Sequence, residues 1–323
     1  MKHMAPILLL ALCLASPAFA GDTAASNSAN EEQLAATFRQ TRVAAEAGDA
    51  HAQNNLGEMY AKGRGVARDD TQAVAWYRKA ADQGDVRAQN NLGTMYANAR
   101  GVARDDAQAV RWLRKAADQG DVRAQNNLGF MYQRSRGVAQ DEAQAASWYR
   151  KAADQGDAGG QYNLGQMYRT GRGVAQDDGQ AVAWYRKAAD QGDARAQNNL
   201  GQMYRTGHGV TQDDAQAAAW YRKAADQGHA YAQTALGAMY ADGSGVARDD
   251  AQAVSWFRKA AEQGDADAQY NLGFMYANGR GVPQDDAQAV GWYRKSAEQG
   301  NIRARNNLEF MYERGRGVAK QAR

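Results

Sequence analysis

The sequence contains almost no cysteine and very little histidine. Its 323 residues include one cysteine, Cys13, and four histidines. Because Cys13 lies in the N-terminal apolar segment described below, the rest of the chain can form neither a disulfide nor a thiolate metal site. The later histidines, His51, His208 and His229, have no spacing that would place two of them on one helix face as a metal pair. We therefore expect neither a metal nor a cofactor.

A strong charge of one sign and the usual catalytic motifs are also missing. The formal net charge is +3, from 39 basic and 36 acidic residues, whereas nucleic-acid-binding proteins usually carry a concentrated basic face. No serine stands in a nucleophile-elbow context. The stretch "GRGVAR" at 63–68 lacks the third glycine and the preceding strand of a dinucleotide-binding fingerprint. The sequence thus favours a protein that is not an enzyme and does not bind nucleic acid.

The N-terminus is typical of an exported protein. Lys2 is followed by the apolar run "APILLLALCLA", and "AFA" at 18–20 is a small-x-small cleavage site. This pattern predicts a signal peptide over 1–20, cut after Ala20, and a periplasmic or secreted location. The run is too short to span a bilayer core of about 30 Å. A lipoprotein signal would have a small residue directly before the cysteine. Leu12 stands before Cys13 here, so lipidation is not expected.

The next segment separates the signal peptide from the rest of the chain. Residues 21–33, "GDTAASNSANEEQ", are small and polar and contain no aromatic residue, which predicts a disordered leader. Residues 34–47 then predict one N-terminal capping helix, with Leu34, Phe38 and Val43 as its apolar contribution.

One nine-residue motif recurs through the remainder of the chain. "AQNNLGEMY" at 52–60 returns as "AQNNLGTMY" at 88–96, "AQNNLGFMY" at 124–132 and "GQYNLGQMY" at 160–168, always 36 residues later. Further versions start at Ala196, Ala232, Ala268 and Ala304. A fixed period of this length predicts stacked helical repeats.

A single repeat reads as a hairpin of two helices, A and B. In residues 84–119, Asp85 is a candidate N-cap for helix A, and Ala88, Leu92 and Met95 form one helical face. Asp105, with a glutamine three residues later, has the form of a capping box that starts helix B. One hairpin cannot bury its own apolar faces, so repeats must stack. We expect an all-α protein, an α/α solenoid (superhelix) of seven full repeats over 48–299 and a terminal half repeat over 300–323.

Several recurrent residues are interpreted as parts of this scaffold. The Asp-Asp pairs stand where helix B begins, which suits caps and the helix dipole better than acid–base chemistry. The central glycine of helix A, such as Gly93, would let helix A lie against the alanine-rich face of helix B. In the last repeat Glu309 replaces it, which predicts a polar cap. The recurrent tryptophans are assigned to packing and stand at 76, 112, 148, 184, 220, 256 and 292. The recurrent asparagines are assigned to satisfying backbone groups and stand at 55, 91, 127, 163, 199, 271 and 307.

The repeat resembles a known family. "AQYNLGFMYANGRGVPQDDAQAVGWYRKSAEQG", at 268–300, is similar to the Sel-one-like repeat, a relative of the tetratricopeptide repeat. The resemblance implies a protein-interaction scaffold, and exported bacterial members are linked to envelope maintenance, signalling or contact with other cells. Some cysteine-rich relatives are described as β-lactam-hydrolysing, but they rely on disulfides that this chain lacks.

Five positions of helix A vary between the repeats, and their spacing places them on one face, which we call the variable face. In tetratricopeptide-like folds this face lines a concave groove, so we predict a partner-binding groove at Arg87, Asn90, Arg123, Asn126, Phe130, Arg134, Tyr162, Gln166, Arg169, Arg195, Asn198, Arg205, Tyr231, Tyr270, Phe274 and Phe310. Arginine forks suit carboxylates, and aromatic side chains supply anchors. We expect a partner protein or peptide, bound through acidic groups or a C-terminal carboxylate. A cell-wall glycan, or a solvated surface without any ligand, is the alternative.

Overall fold

The computed structural model describes residues 19–317, and its side chains from residue 30 onward. Over this range it contains sixteen helices and no strand. Residues 1–18, most of the predicted signal peptide, and the final residues 318–323 lie outside the described range. In chain order the helices are α1 (Phe19–Glu46), α2 (Ala50–Lys62), α3 (Asp70–Asp82), α4 (Val86–Ala97), α5 (Asp106–Asp118), α6 (Val122–Gln133), α7 (Glu142–Asp154), α8 (Ala158–Thr170), α9 (Asp178–Asp190), α10 (Ala194–Thr206), α11 (Asp214–Asp226), α12 (Ala230–Asp242), α13 (Asp250–Glu262), α14 (Ala266–Asn278), α15 (Asp286–Glu298) and α16 (Ile302–Glu313).

The helices form two compact units, Met1–Asp121 with α1 to α5 and Val122–Arg323 with α6 to α16. From α2 onward, even-numbered helices are helix A of a repeat and odd-numbered helices are helix B. Within each unit a helix A packs against the helix B of its own repeat, and that helix B packs against the next helix A. The predicted α/α solenoid of helical hairpins is therefore confirmed.

The N-terminal helix differs from the sequence prediction. The segment 21–33, expected as a disordered leader, lies inside α1. No glycine or proline interrupts residues 22–47, and each residue added to an existing helix gains a backbone hydrogen bond. The capping part of α1 contacts α2, because Phe38 packs edge-on against Tyr60 with ring centres 5.5 Å apart. Val43, expected to contribute to this contact, is 68% exposed.

Aspartate caps explain where each helix B begins. The Asp105 carboxylate accepts from the backbone N–H of Gln108 at 2.9 Å. The N–H of Asp105 donates to the Tyr96 carbonyl at 3.2 Å, so the reciprocal half of the predicted capping box is not formed. The same bond to a tyrosine carbonyl recurs at Asp177 and Asp213. It fixes the loop between helices A and B of each hairpin.

Two glycines of the repeat are required by close contacts. A Cβ at Gly165, in the middle of helix A, would lie 2.8 Å from Cδ1 of Tyr185. The predicted close approach is confirmed, but an aromatic ring, rather than an alanine-rich face, is the nearest neighbour. Gly173 has φ +68°, and its Cβ would lie 2.0 Å from the carbonyl oxygen of Glu142 in the preceding repeat. Only glycine fits this junction between repeats.

The tryptophan of helix B is buried in four repeats and half-buried in the other three. Trp148, Trp184, Trp220 and Trp256 are 7–9% exposed, which confirms the packing interpretation for these four. The other three are half-buried. In all seven repeats the lysine three residues later lies over the ring, with its Nζ 3.8–4.3 Å from a ring centre. The lysine stems thereby cover the edge of the core.

Glutamine side chains link successive repeats, a role that no pattern in the sequence had indicated. Gln197 is 4% exposed. Its Nε2 donates to the Ala189 carbonyl of the preceding helix B at 3.0 Å, and its Oε1 accepts from Nε2 of Gln227 at 2.8 Å. Equivalent pairs recur along the chain, for example between Gln263 and Gln233. Buried amides therefore hold the repeats in register, because their polar atoms must find partners.

Candidate functional site

The variable face of the second unit contains a cavity of about 480 Å³ between helices α6, α8 and α10. We call it the α6–α10 pocket. It brings together seven of the predicted groove residues: Asn126, Phe130, Arg134, Tyr162, Gln166, Arg169 and Arg195. Helix-A positions from three consecutive repeats thus line one cavity.

Two arginines of the pocket have no acidic partner. Arg134 and Arg169 form no ion pair with any residue of the described range 30–317. The guanidinium carbon of Arg134 lies 5.9 Å from the ring centre of Phe130. Nε of Arg169 donates to Oε1 of Gln166 at 3.0 Å. Both charges are therefore held in place while remaining able to bind an anion.

The other two arginines of the pocket are already paired. Nε of Arg172 donates to Oε1 of Glu142 at 2.7 Å. Arg195 binds Asp193 with an N–O distance of 2.7 Å, and the hydrogen bond to this carboxylate raises the pKa of Arg195. Its guanidinium carbon also lies 4.3 Å from the ring centre of Tyr162. The pocket therefore has a net positive charge, carried by Arg134 and Arg169.

Amide and hydroxyl groups organise the floor of the pocket. Nε2 of Gln166 donates to the Tyr162 hydroxyl at 3.0 Å, and Oε1 of Gln166 accepts from the Tyr185 hydroxyl at 2.6 Å. Burial raises the pKa of Tyr185 to about 12, so this hydroxyl stays protonated and acts as a donor. Because the polar atoms satisfy one another, the floor is ordered before any ligand binds.

The recurrent asparagine before leucine has a different role from the predicted one. In the pocket, Nδ2 of Asn163 donates to Oδ1 of Asn126 at 2.8 Å. In the first unit, Nδ2 of Asn91 donates to Oδ1 of Asn54 at 3.0 Å. At Asn91 and Asn163 the expected bond to a backbone group is therefore replaced by a bond to the side chain of an asparagine in the preceding repeat.

Predicted groove residues of the first unit lie at a separate cavity or in the core. Arg87 lines a cavity of about 500 Å³ beside His51, whose Nδ1 lies 2.7 Å from Oδ2 of Asp85. Asn90 is only 4% exposed, so the prediction that it faces the groove is wrong. It occupies a variable position, but the neighbouring helices cover it.

The remaining predicted residues of the second unit lie outside the α6–α10 pocket. Arg123 is exposed on α6, and Asn198 is 7% exposed, so it is buried rather than open. Arg205 lines a smaller cavity of about 180 Å³. Tyr270 is half-buried, and the guanidinium of Arg303 lies 4.9 Å from its ring centre. Large exposed aromatic side chains occur at Tyr231, Phe274 and Phe310, which are 48%, 37% and 49% exposed.

Five lining residues of the pocket were not predicted: Asn127, Gln133, Asn163, Thr170 and Arg172. Gln133 and Thr170 occupy variable positions, so the same spacing rule would have found them. Arg172 follows the C-cap glycine of α8, and only the packing of the preceding repeat brings it to the pocket.

Metal-binding clusters and membrane-spanning helices were sought among the described residues. No group of three or more His, Cys, Asp or Glu side chains within the described range could hold a metal ion. Between residues 19 and 317 no helix has the length and apolar character needed to cross a membrane. The arrangement offers cationic, amide and aromatic contacts, which suits binding.

Comparison with known proteins identifies the repeat. The Sel1 repeat model matches seven consecutive segments, 50–85, 86–121, 122–157, 158–193, 194–229, 230–265 and 266–301. No curated protein gives a significant match.

Two solved structures are similar over most of the chain. A Sel1 repeat protein from Oxalobacter formigenes is 40% identical, with a TM-score of 0.69, covering 87% of this chain and 81% of that one. A protective antigen of uropathogenic Escherichia coli strains that displays an SLR fold is 41% identical, with a TM-score of 0.67, covering 86% of this chain and 67% of that one. With seven matched repeats and the stacked hairpins described above, this chain belongs to the Sel1 repeat family.

Proposed function

We propose that this protein is a non-enzymatic scaffold of the bacterial cell envelope that holds an extended, acidic peptide segment of a partner protein. Sel1 repeat proteins are generally protein-interaction scaffolds. The observation that carries the proposal is the pair Arg134 and Arg169, two arginines without counter-ions in an otherwise satisfied pocket.

The pocket chemistry favours a carboxylate. Guanidinium groups bind carboxylates through paired, charge-assisted hydrogen bonds, and Arg134 and Arg169 line the same cavity. A side-chain or C-terminal carboxylate of the partner would bind between them. Phe130 is 40% exposed at the same cavity, and an apolar partner side chain beside the acid would pack on its ring.

The size of the pocket favours a peptide segment over a folded surface. A cavity of about 480 Å³ falls within the range of about 300–1,000 Å³ that is typical of small-ligand sites. It accommodates a few side chains of an extended chain. The N-terminal signal-peptide pattern supports a site of binding in the periplasm or outside the cell.

An anionic glycan is the competing ligand. Sugars usually stack on an open aromatic face, but the Arg195 guanidinium already lies 4.3 Å from the ring centre of Tyr162. The Phe130 ring, with the Arg134 guanidinium carbon 5.9 Å from its centre, has no polar atom of its own and suits an apolar side chain better than a sugar.

A binding experiment tests the proposal. The purified protein is screened against a library of fluorescent ten-residue peptides that contain acidic and apolar positions. The double variant Arg134→Glu/Arg169→Glu is compared with Arg39→Glu/Arg305→Glu, which changes the net charge equally at two exposed arginines outside the pocket. Hydrogen bonds to charged groups contribute about 1.5–3 kcal/mol each, so the pocket variant should lose at least about tenfold in affinity.

The control variant should bind like the wild type. Equal binding by the wild type and the pocket variant would reject the site. Binding of purified cell-wall glycan without any peptide binding would reject the peptide function and support the glycan alternative.

A further inference from the structure

In several repeats the first residue of helix B binds an arginine of the following repeat. Nε and Nη2 of Arg280 donate to the two carboxylate oxygens of Asp250 at 3.1 and 2.7 Å. The same Nη2 donates to the Ala241 carbonyl at 2.9 Å. Arg316 binds Asp286 in the same way. One guanidinium thus fills a recess between a carboxylate and a main-chain oxygen.

Two consecutive repeats have no arginine in this recess. Within residues 30–317, seven residues begin a helix B. Five of them form an ion pair with an arginine, namely Asp70, Asp106, Glu142, Asp250 and Asp286. The carboxylates of the other two, Asp178 and Asp214, have neither an ion pair nor a hydrogen bond in this range. His208 and Ser244 stand where the following repeat would supply the arginine.

A cavity opens at each of these two places. One, of about 180 Å³, is lined by Ser244, Asp214 and Asp242, and we call it the Ser244 notch. The other, of about 270 Å³, is lined by His208 and Asp178, and we call it the His208 notch. Every residue that lines the His208 notch lies 36 positions before one that lines the Ser244 notch. The two cavities are therefore the same recess in consecutive repeats.

The Ser244 notch has the acceptors of the Arg280 site and lacks the guanidinium. The residue 36 positions after Asp214 is Asp250, which binds Arg280 through both carboxylate oxygens. The residue 36 positions after Arg205 is Ala241, whose carbonyl accepts from the same guanidinium. Arg205 stands in the last turn of α10, where carbonyl groups have no partner within the helix.

The charged side chains at the Ser244 notch favour a cation. They are Asp214, Asp242 and Arg205, so carboxylates outnumber the arginine. Arg205 forms no ion pair within residues 30–317 and interacts with the Tyr221 hydroxyl of α11. Both carboxylates therefore remain open to a cation that comes from outside the chain.

The His208 notch connects this recess to the α6–α10 pocket. Nδ1 of His208 lies 2.8 Å from the Thr206 hydroxyl oxygen, so the imidazole is held by Thr206 rather than by Asp178. Arg169 lines both the His208 notch and the α6–α10 pocket. One extended partner segment can therefore contact the pocket and continue along the notches.

We propose that the two notches bind arginine side chains of the partner segment, in place of the internal arginine that these repeats lack. In the Ser244 notch, the incoming guanidinium donates to both oxygens of Asp214 and to the Arg205 carbonyl. A guanidinium suits these acceptors because its donors form a planar fork, whereas the lysine ammonium is a compact point charge. The inference rests on the proposed function only in taking a peptide segment as the occupant.

Peptides without acidic residues test the notches independently of Arg134 and Arg169. The probes are fluorescent ten-residue peptides in which two arginines stand about two to five residues apart among glycines and serines, which spans about 7–17 Å of extended chain. Binding is measured by fluorescence anisotropy at low ionic strength, where exposed charges are least screened. The wild type should bind at least one probe, and the same probe with two lysines at least about threefold more weakly.

A filled variant, His208→Arg/Ser244→Arg, supplies the internal arginine to both notches. Each partly exposed ion pair contributes up to about fivefold in affinity, so this variant should bind the arginine probe about tenfold more weakly. The matched control Ala219→Arg/Ser255→Arg adds the same charge at exposed positions of α11 and α13. Arg111 occupies the equivalent position of α5. The control should therefore fold normally and bind like the wild type.

A second variant removes the notch charges without filling the cavities. Asp178→Asn/Asp214→Asn leaves the N-caps Asp177 and Asp213 in place, so helix B should form in both repeats, as circular dichroism can check. This variant should also bind the arginine probe about tenfold more weakly. Agreement between the two variants would assign the loss to the carboxylates.

The outcomes separate the two proposals. Equal binding of the arginine probes by the wild type and both notch variants, including no binding by any of them, overturns this inference. A probe with lysines that binds as tightly, or a control variant that loses as much affinity as the filled variant, overturns it as well. The acidic-peptide comparison of the wild type with Arg134→Glu/Arg169→Glu decides the proposed function in every case.

Discussion

An arginine clamp between adjacent repeats provides the sharpest prediction about stability. Nη2 of Arg280 lies 2.7 Å from Oδ1 of Asp250 and 2.9 Å from the Ala241 carbonyl oxygen, and its Nε lies 3.1 Å from Oδ2 of the same aspartate. The hydrogen bond to Arg280 is the main cause of the lowered pKa of Asp250. The same clamp joins Arg316 to Asp286.

Two consecutive repeats lack this arginine. His208 and Ser244 occupy its place, while the aspartates that it would bind, Asp178 and Asp214, remain. The cavity at Ser244 is about 180 Å³ and is lined by Asp214 and Asp242. Ser244→Arg should therefore rebuild the clamp and increase the free energy of unfolding.

The size of the gain follows from the partly exposed geometry of the existing clamp. Its side chains are 29% and 22% exposed at Arg280 and Asp250, so the ion pair itself is worth about 0.5–1 kcal/mol. The bond to a backbone carbonyl adds about 1 kcal/mol. Because the side chain stays partly exposed, ordering the long arginine opposes these terms by only about 1 kcal/mol, roughly half of the cost of full burial. We expect a net gain of about 0.5–1 kcal/mol.

Urea denaturation followed by tryptophan fluorescence measures this gain as a higher midpoint with an unchanged m-value. Two further variants test the cause. Arg280→Ser should lose more, about 1–2 kcal/mol, because it leaves Asp250 without its main partner. In the double variant Ser244→Arg/Asp214→Asn, the gain should disappear. A gain that survives the loss of the Asp214 charge would refute the reasoning.

Three further predictions concern single positions. Ala99 has φ +53° where five other repeats have a left-handed glycine C-cap. Ala99→Gly should therefore stabilise the protein by about 1 kcal/mol, measured by thermal unfolding. The absence of a gain would contradict the assigned strain. His229 caps α12 by accepting from the Ala232 N–H, and burial lowers its pKa. The stabilisation by His229 is therefore complete above about pH 6.5 and is lost as the pH falls. His229→Asp should gain about 0.5–1 kcal/mol of stability and be less sensitive to acid near pH 5. An unchanged acid response would contradict this. Burial raises the pKa of Tyr185 and Tyr293 to about 12, so their stabilisation is complete below about pH 10 and is lost as the pH rises through 12. Absorbance at 295 nm should show these tyrosines ionising together with the loss of helicity. Ionisation before unfolding would contradict their burial.

Local signals in the sequence were sufficient to predict most of the helices. Asp105, expected to start a helix B, caps α5, which begins at Asp106. These predictions succeed because caps, C-terminal glycines and apolar periodicity act within one or two helical turns. Residues 21–33 were predicted to be disordered but lie in α1. That prediction relied on their polar composition and overlooked the absence of glycine and proline from residues 22–33.

The candidate site was predictable only in outline. Comparing repeats identified a face that is free to vary, and seven of its predicted residues line the α6–α10 pocket. The same comparison placed Asn90 and Asn198 on that face, although both are buried. Exposure depends on the side chains of the neighbouring helices, which differ from repeat to repeat, so position in the repeat does not determine it.

The sequence by itself determined that this protein is a stack of helical hairpins, because periodicity is a property of the chain alone. The tertiary structure decided which charges remain unpaired. Arg280 meets Asp250 across 30 residues, whereas Asp214 has no such arginine because Ser244 stands 30 residues later. Such contacts arise only when one repeat packs on the next, and the energy of a buried polar atom depends on that neighbour.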